Sequence, residues 1–244
     1  MSETTLLEGQ ISIEAVLNAE SRPIKRIIAR SDRTDRDLRR LLKRAEAAGI
    51  PTERAPLAQI DEQAQGSTHG GVIAYAGPRI TLPLADLLPA DGAAYIAMLD
   101  GIEDPFNFGY AIRALWAAGA DGVVVRPRNW MSAAGTVARA SAGASELIPT
   151  AVAETTLDAA AFFRQQGVTV ACTGLSEGAV PLYEADLTVP LFILIGGERR
   201  GITRSFMSQA DLVLSIPYGR TFDKSLGTTA AAGVLAFEVM RQRR

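Results

Sequence analysis

The stretch "LDGIEDPFNFGYAIRALWAAGADGVVV", residues 99–125, decides the architecture. An apolar run ending at Leu99 gives way to the polar turn "EDPFNFG", and apolar positions three and four apart along "GYAIRALWAAG" predict a helix. "GVVV" then reads as a second buried strand. Inside this unit Asn107 stands in the turn, where it reads either as a plain helix N-cap or as part of a site. Arg113, among Ile112, Leu115 and Trp116, calls for an acidic partner or a ligand phosphate.

Toward the C-terminus the alternation continues. Strands are predicted at "AYIAMLD", "GVVV", "VTVACTG", "LFILIGG" and "LVLSIP", with helices at "GYAIRALWAAG", "TTLDAAAFFRQQG" and "TTAAAGVLAFEVMRQR". Near-continuous apolar strands separated by helices indicate an α/β fold with a doubly wound, mostly parallel sheet covered on both faces. Ligands of such sheets bind beyond the carboxyl ends of the strands. Three turns therefore matter: those after Asp100, Ile195 and Ile216. The second, "IGGERRG", brackets Glu198 with glycines 196, 197 and 201, and the third, "IPYGRTFDKSLGTT", leads into the last helix. No G-x-G-x-x-G follows an early strand and no P-loop is present, which excludes the familiar dinucleotide and nucleoside triphosphate sites.

Toward the N-terminus, "ISIEAVLNA" and "DRDLRRLLKRAEAAG" read as helices and "IKRIIA" and "GGVIAYA" as strands of a small α/β unit. The expected division is 1–77 for this unit, 78–93 for a proline-rich linker, and 94–244 for the larger unit. The chain carries a net charge of −2, yet Arg22 to Arg54 holds eleven Lys/Arg against five Asp/Glu, a local excess of +6. Arg33, Arg36, Arg40 and Lys43 are expected to line one helical face and meet phosphates; the plainer alternative is a solvated surface. The lone Cys172 excludes an internal disulfide and fits a buried core position. His69, before "GGVIAYA", reads as a turn or packing residue, and no His/Cys pattern suggests a metal. "MSETTLLEGQ" is not a charged leader ahead of a long apolar run, and a cytoplasmic location is expected.

Taken in order, the three turns resemble the signature motifs of the SpoU (TrmH-type) RNA ribose 2'-O-methyltransferases of the SPOUT superfamily. Asn107 followed by Arg113 matches the first motif; Gly196 or Gly197 with Glu198 and Gly201 matches the second. Ile216, Pro217, Ser225 and Leu226 match the third, where Gly227 stands in place of the usual Asn and Thr229 in place of a Ser. "RASAGASELIP" is similar to the segment between motifs one and two, and "LLEGQISIEAVLNA", "AEAAGIPTERA" and "STHGGVIAYA" resemble the family's ribosomal-protein-like RNA-binding domain.

The resemblance implies transfer of a methyl group from S-adenosylmethionine to a ribose 2'-hydroxyl of rRNA or tRNA. It also implies a deep trefoil knot in the larger domain and a homodimer. Thr173, Gly174, Gly196, Gly197, Ile216, Ser225 and Leu226 would hold the cofactor, and Arg113, Asn107 and Glu198 would serve catalysis. A guanidinium is a poor base at neutral pH, so Arg113 is expected to clamp the adjacent phosphate and stabilise the developing alkoxide. The rival expectation is a non-catalytic RNA-binding protein of the same fold with an eroded third motif, as Gly227 would suggest.

Overall fold

The structure, a computed structural model, describes residues 4–90, 92–127, 133–176, 178–197 and 201–244. In chain order the elements are β1 (Thr5–Glu8), α1 (Gln10–Ala19), β2 (Ile24–Arg30), α2 (Arg36–Ala47), β3 (Thr52–Ala55), α3 (Leu57–Asp61) and β4 (Val72–Ala76). There follow β5 (Tyr95–Asp100), α4 (Pro105–Ala117), β6 (Gly122–Val125), α5 (Ala134–Ala140), α6 (Ala144–Leu147), β7 (Thr150–Val152), α7 (Thr156–Gln165) and β8 (Thr169–Thr173). The chain continues through β9 (Val180–Pro181), β10 (Leu191–Gly196), α8 (Arg204–Met207), β11 (Leu212–Ser215) and α9 (Thr228–Gln242).

Residues up to Ile80 form one compact unit with α5 and α6; the rest of the chain from Thr81 forms another. In the first, a four-stranded sheet runs β1-β4-β2-β3, antiparallel except for the β2–β3 pair. α2 starts where the Asp35 carboxylate accepts the Leu38 N–H at 3.0 Å and stops before Gly49, whose φ is 71°. Leu38, Leu41, Leu42 and Ala45 face the core, and the charged side chains between them face out.

α5 and α6 belong by sequence to the stretch assigned to 94–244, yet they pack within this first unit. α5 lies so close on β1 that a Cβ at Gly135 would run into the Leu6 carbonyl oxygen. Arg139 of α5 forms an ion pair with the buried Glu8. Glu146 of α6 is 1% exposed; its carboxylate accepts from Ser21 at 2.8 Å and from the Arg22 and Arg79 guanidiniums, each at 3.0 Å. Burial pushes the Glu146 carboxyl up, but Arg22 and Arg79 more than offset that, and its pKa lies below the ordinary value. His69 is buried, with Nδ1 accepting the Gly71 N–H and Nε2 facing Asp61 at 3.0 Å, as suits a turn residue.

The second unit is a seven-stranded sheet of order β7-β6-β5-β10-β8-β11-β9 whose pairings are all parallel. Its central strands read "YIAML", "GVVV" and "LFILI" and are buried along their whole length, as a sheet covered on both faces requires. α7 packs on β8 and β10, with Phe163 and Phe192 stacked at 4.8 Å between ring centroids. Cys172 is fully buried in this core, and burial pushes its thiol up to about 11. The expected linker 78–93 includes structured chain: Leu82 bridges to Ala151 and Leu87 is buried. α9 packs on α4, and its end is fastened by Arg243, which donates to the carbonyls of Ala93, Ala94 and Val189.

Candidate active site

β5, β10, β8 and β11 run parallel, so the turns after Asp100, Gly196, Thr173 and Ser215 all emerge at one edge of the sheet. At the first turn Asp104, not Asn107, is the N-cap of α4: its Oδ1 accepts the Phe106 N–H at 2.8 Å, and Pro105 occupies the first helical position. The plain-cap reading of Asn107 is therefore excluded. Asn107 lies in the first turn of α4, and its carbonyl accepts from Thr229 Oγ1 at 3.4 Å. Arg113 is exposed and has no acidic partner among the described residues.

At the second turn the glycines are explained by the chain itself. Gly197 donates to the Asp100 carbonyl at 2.7 Å, and a Cβ on it would collide with the Gly101 carbonyl. A Cβ on Gly196 would sit 2.8 Å from the Gly201 carbonyl carbon, and Gly201 itself has a φ of 57°. These glycines let the turn fold back on itself and against the first turn. Replacing Gly196 would thus disturb the loop before it touched any ligand. Glu198 lies outside the described residues.

At the third turn the Tyr218 hydroxyl accepts the Leu226 N–H at 3.0 Å, and Thr228 Oγ1 donates to the Gly196 carbonyl at 3.2 Å. Gly227 is the N-cap of α9, with φ −58° and no side-chain cap. That conformation is open to any residue, and Gly costs a helix only a few tenths of a kcal/mol relative to Asn there. The departure at Gly227 is cheap for the fold.

The turns after Thr173, Gly196 and Ser215, with the start of α9, enclose a cleft of about 440 Å³; the first turn contributes no lining residue. Thr173, Gly174, Gly196, Gly197, Ile216, Ser225 and Leu226 all line it, so the seven residues expected to hold a cofactor are brought together. Tyr218, Thr228, Ala231, Met207 and Leu175 also line it and were missed by sequence reasoning. Tyr218 and Ala231 had a signal in hand: one follows Ile216-Pro217, and the other stands in the first turn of the final helix. Asn107 and Arg113 do not line it. The volume is that of a small-molecule site, and the wall offers backbone groups of several turns between apolar side chains, which suits a nucleoside with a polar tail.

In the first unit, Arg36, Arg40 and Lys43 project from α2 at helical spacing, all exposed; Arg40 stands 3.7 Å from Glu14 and 3.6 Å from Asp37. Arg33 does not share that face. It precedes the Asp35 cap and is tied to Asp35, to the Gly70 carbonyl at 3.0 Å and to Gln10 Oε1 at 3.0 Å. The Arg33 guanidinium and the Leu38 N–H hold the Asp35 carboxyl down to about 2. Among the described residues, no group of three or more His, Cys, Asp or Glu is placed to hold a metal, and no helix is long and apolar enough to cross a membrane.

The chain is similar to known RNA methyltransferases. Residues 94–237 match the SpoU rRNA methylase family, and residues 6–80 match the RNA 2'-O ribose methyltransferase substrate-binding family. A 23S rRNA (guanosine-2'-O-)-methyltransferase RlmB of Ralstonia nicotianae is 33% identical over 245 residues, covering 100% of this chain and 98% of the relative. Its namesake in Shewanella oneidensis is 29% identical, covering 100% of both chains. Among solved structures, an AdoMet-bound rRNA methyltransferase from Sinorhizobium meliloti superposes with a TM-score of 0.80 at 26% identity, over 98% of this chain and 87% of that one. AviRb of Streptomyces viridochromogenes, in complex with AdoMet, shares the fold at a TM-score of 0.81 and 20% identity, over 98% and 90%.

Proposed function

The chain belongs to the SpoU rRNA methylase family, and from that premise we propose that it transfers a methyl group from S-adenosylmethionine to the ribose 2'-hydroxyl of a guanosine in 23S rRNA. The observation that carries the reading at the level of the site is the gathering of Thr173, Gly174, Gly196, Gly197, Ile216, Ser225 and Leu226 around one cleft. S-adenosylmethionine supplies an activated sulfonium methyl when bound. The chain must then align the ribose oxygen and help its proton leave.

Arg113 stands free of acidic partners among the described residues, on the exposed side of α4. It clamps the phosphate beside the target ribose and steadies the negative charge growing on the 2'-oxygen, while phosphate or water takes the proton. Asn107 and Glu198 orient it. Residues 1–77 present the RNA through Arg36, Arg40 and Lys43 of α2, residues 78–93 connect, and 94–244 carry the chemistry in the cytoplasm, where ribosomal RNA is found.

The knot of the larger domain belongs to the same reading; it is supported by the return of α9 from β11 to α4, past the turn at Gly196. So does a homodimer. Phe106 and Tyr110 on α4 are 43% and 45% exposed and Phe237 on α9 is 46% exposed, an apolar surface on two helices packed together. Arg113 shares the α4 face of Phe106 and Tyr110, so a dimer over this surface places it at the subunit junction.

The rival reading, a non-catalytic relative, rested on Gly227 in place of the usual Asn; the full-length likeness to RNA 2'-O-methyltransferases favours the catalytic one. Calorimetric titration with S-adenosylmethionine tests the site. Micromolar binding is expected, and absence of binding by a folded protein would contradict it.

A further inference from the structure

Residues 217–227, between β11 and α9, are exposed throughout. Within this strap, aromatic and cationic residues alternate: Tyr218, Arg220, Phe222, Lys224. Phe222 is 57% exposed and its ring lies 6.0 Å from that of Tyr218, tilted by 51°. Tyr218 lines the cleft and is pinned to the strap's far end by the Leu226 N–H. Arg220 has no ion pair or hydrogen bond among the described residues, and Lys224 pairs only with its exposed neighbour Asp223, at 3.0 Å. An exposed pair of that kind is weak and easily exchanged for another anion.

A buried core explains none of these four side chains, and a solvated loop does not call for an open phenylalanine beside an open tyrosine. Stacked bases take aromatic platforms irrespective of sequence, and interleaved cations follow a sugar-phosphate backbone. We propose that the strap 218–224 is a single-stranded RNA contact at the mouth of the cleft: Phe222 stacks on an unpaired base, with Tyr218 beneath it, while Arg220 and Lys224 meet flanking phosphates. The inference rests on the reading of the cleft as the methyl-transfer site, and adds that the RNA presented there is unpaired. A paired base has its faces covered by its neighbours and has none to offer Phe222.

The test uses the full chain with a mixed-sequence single-stranded RNA oligonucleotide, the same sequence as a duplex, and S-adenosylmethionine calorimetry on each variant. Phe222→Ala is expected to weaken single-strand binding about 5- to 100-fold, and Phe222→Tyr to restore it. Duplex binding and S-adenosylmethionine affinity should stay at the parent values. Arg220→Ala should lower the slope of log affinity against log salt by about 0.7 for the single strand. Unchanged single-strand affinity in Phe222→Ala, or equal losses for single strand and duplex, overturns the proposal. Failure of the unaltered protein to bind S-adenosylmethionine contradicts the cleft reading itself, a result distinct from any loss confined to the variants.

Discussion

Arg113 concentrates the chemistry in one side chain. It is exposed and without an acidic partner among the described residues. A positioned guanidinium that meets developing charge is worth about 10²- to 10³-fold in rate, on the scale of losing one oxyanion donor. Arg113→Ala is therefore expected to melt like the parent and lose most single-turnover methyl transfer. Arg113→Lys keeps the charge without the planar fork and should recover only part of it. Parent-like rates in Arg113→Ala would make it an ordinary surface residue. Glu146 is the opposite kind of residue. It is buried between Arg22 and Arg79, and Glu146→Gln leaves two guanidiniums without their anion, at a cost of about 3–5 kcal/mol. Its pKa is lower folded than unfolded, so the stability it contributes is fully present above the ordinary carboxylate range and is lost as pH falls through the folded value. Urea midpoints followed from neutral to acid pH should fall more steeply for the parent than for Glu146→Gln; equal slopes would remove Glu146 from the acid response.

At the scale of elements, the central strands were legible because each is an apolar run of four or more residues that is buried on both faces. β7 and β9 were not, since three and two residues carry no period. The start of α4 was misplaced because Asp104 and Pro105 cap it four residues ahead of the first apolar repeat. Arg33 looked like a helix-face residue only while the cap at Asp35 was unknown. The cleft was largely legible through the resemblance of its turns to known motifs, since glycines alone mark only tight turns. What the sequence could not tell was the purpose of those glycines, because the collision of a Cβ on Gly197 with Gly101 depends on a chain segment far away in sequence. Gly197→Ala should accordingly lower the melting temperature as well as cofactor affinity. Ala231, on the first turn of α9, offers the cleaner probe: Ala231→Phe fills the cleft from a helix whose backbone need not move. It should reduce S-adenosylmethionine affinity at least 10-fold with little change in melting; unchanged affinity would move the cofactor elsewhere.

For the whole molecule, the packing of α5 and α6 with the N-terminal unit alters what a truncation can show. Deleting residues 1–77 removes Arg22 from Glu146 and β1 from α5, so a fall in RNA binding would mix lost contact with lost structure. Charge reversal of Arg36, Arg40 and Lys43 leaves that packing in place and isolates the basic face. The apolar surface on α4 and α9 predicts a dimer, and Tyr110→Lys with Phe237→Asp should yield a folded monomer by sedimentation; a dimer that survives both changes would place the interface elsewhere. Methyl transfer to a ribose of 23S rRNA is the proposed reaction. It is tested most directly by incubating the purified protein with 23S rRNA and methyl-labelled S-adenosylmethionine, then digesting the RNA to nucleosides. The expected product is label in 2'-O-methylguanosine at a single position, reduced at least 100-fold by Arg113→Ala; label in a methylated base, or none in the RNA, would contradict the account.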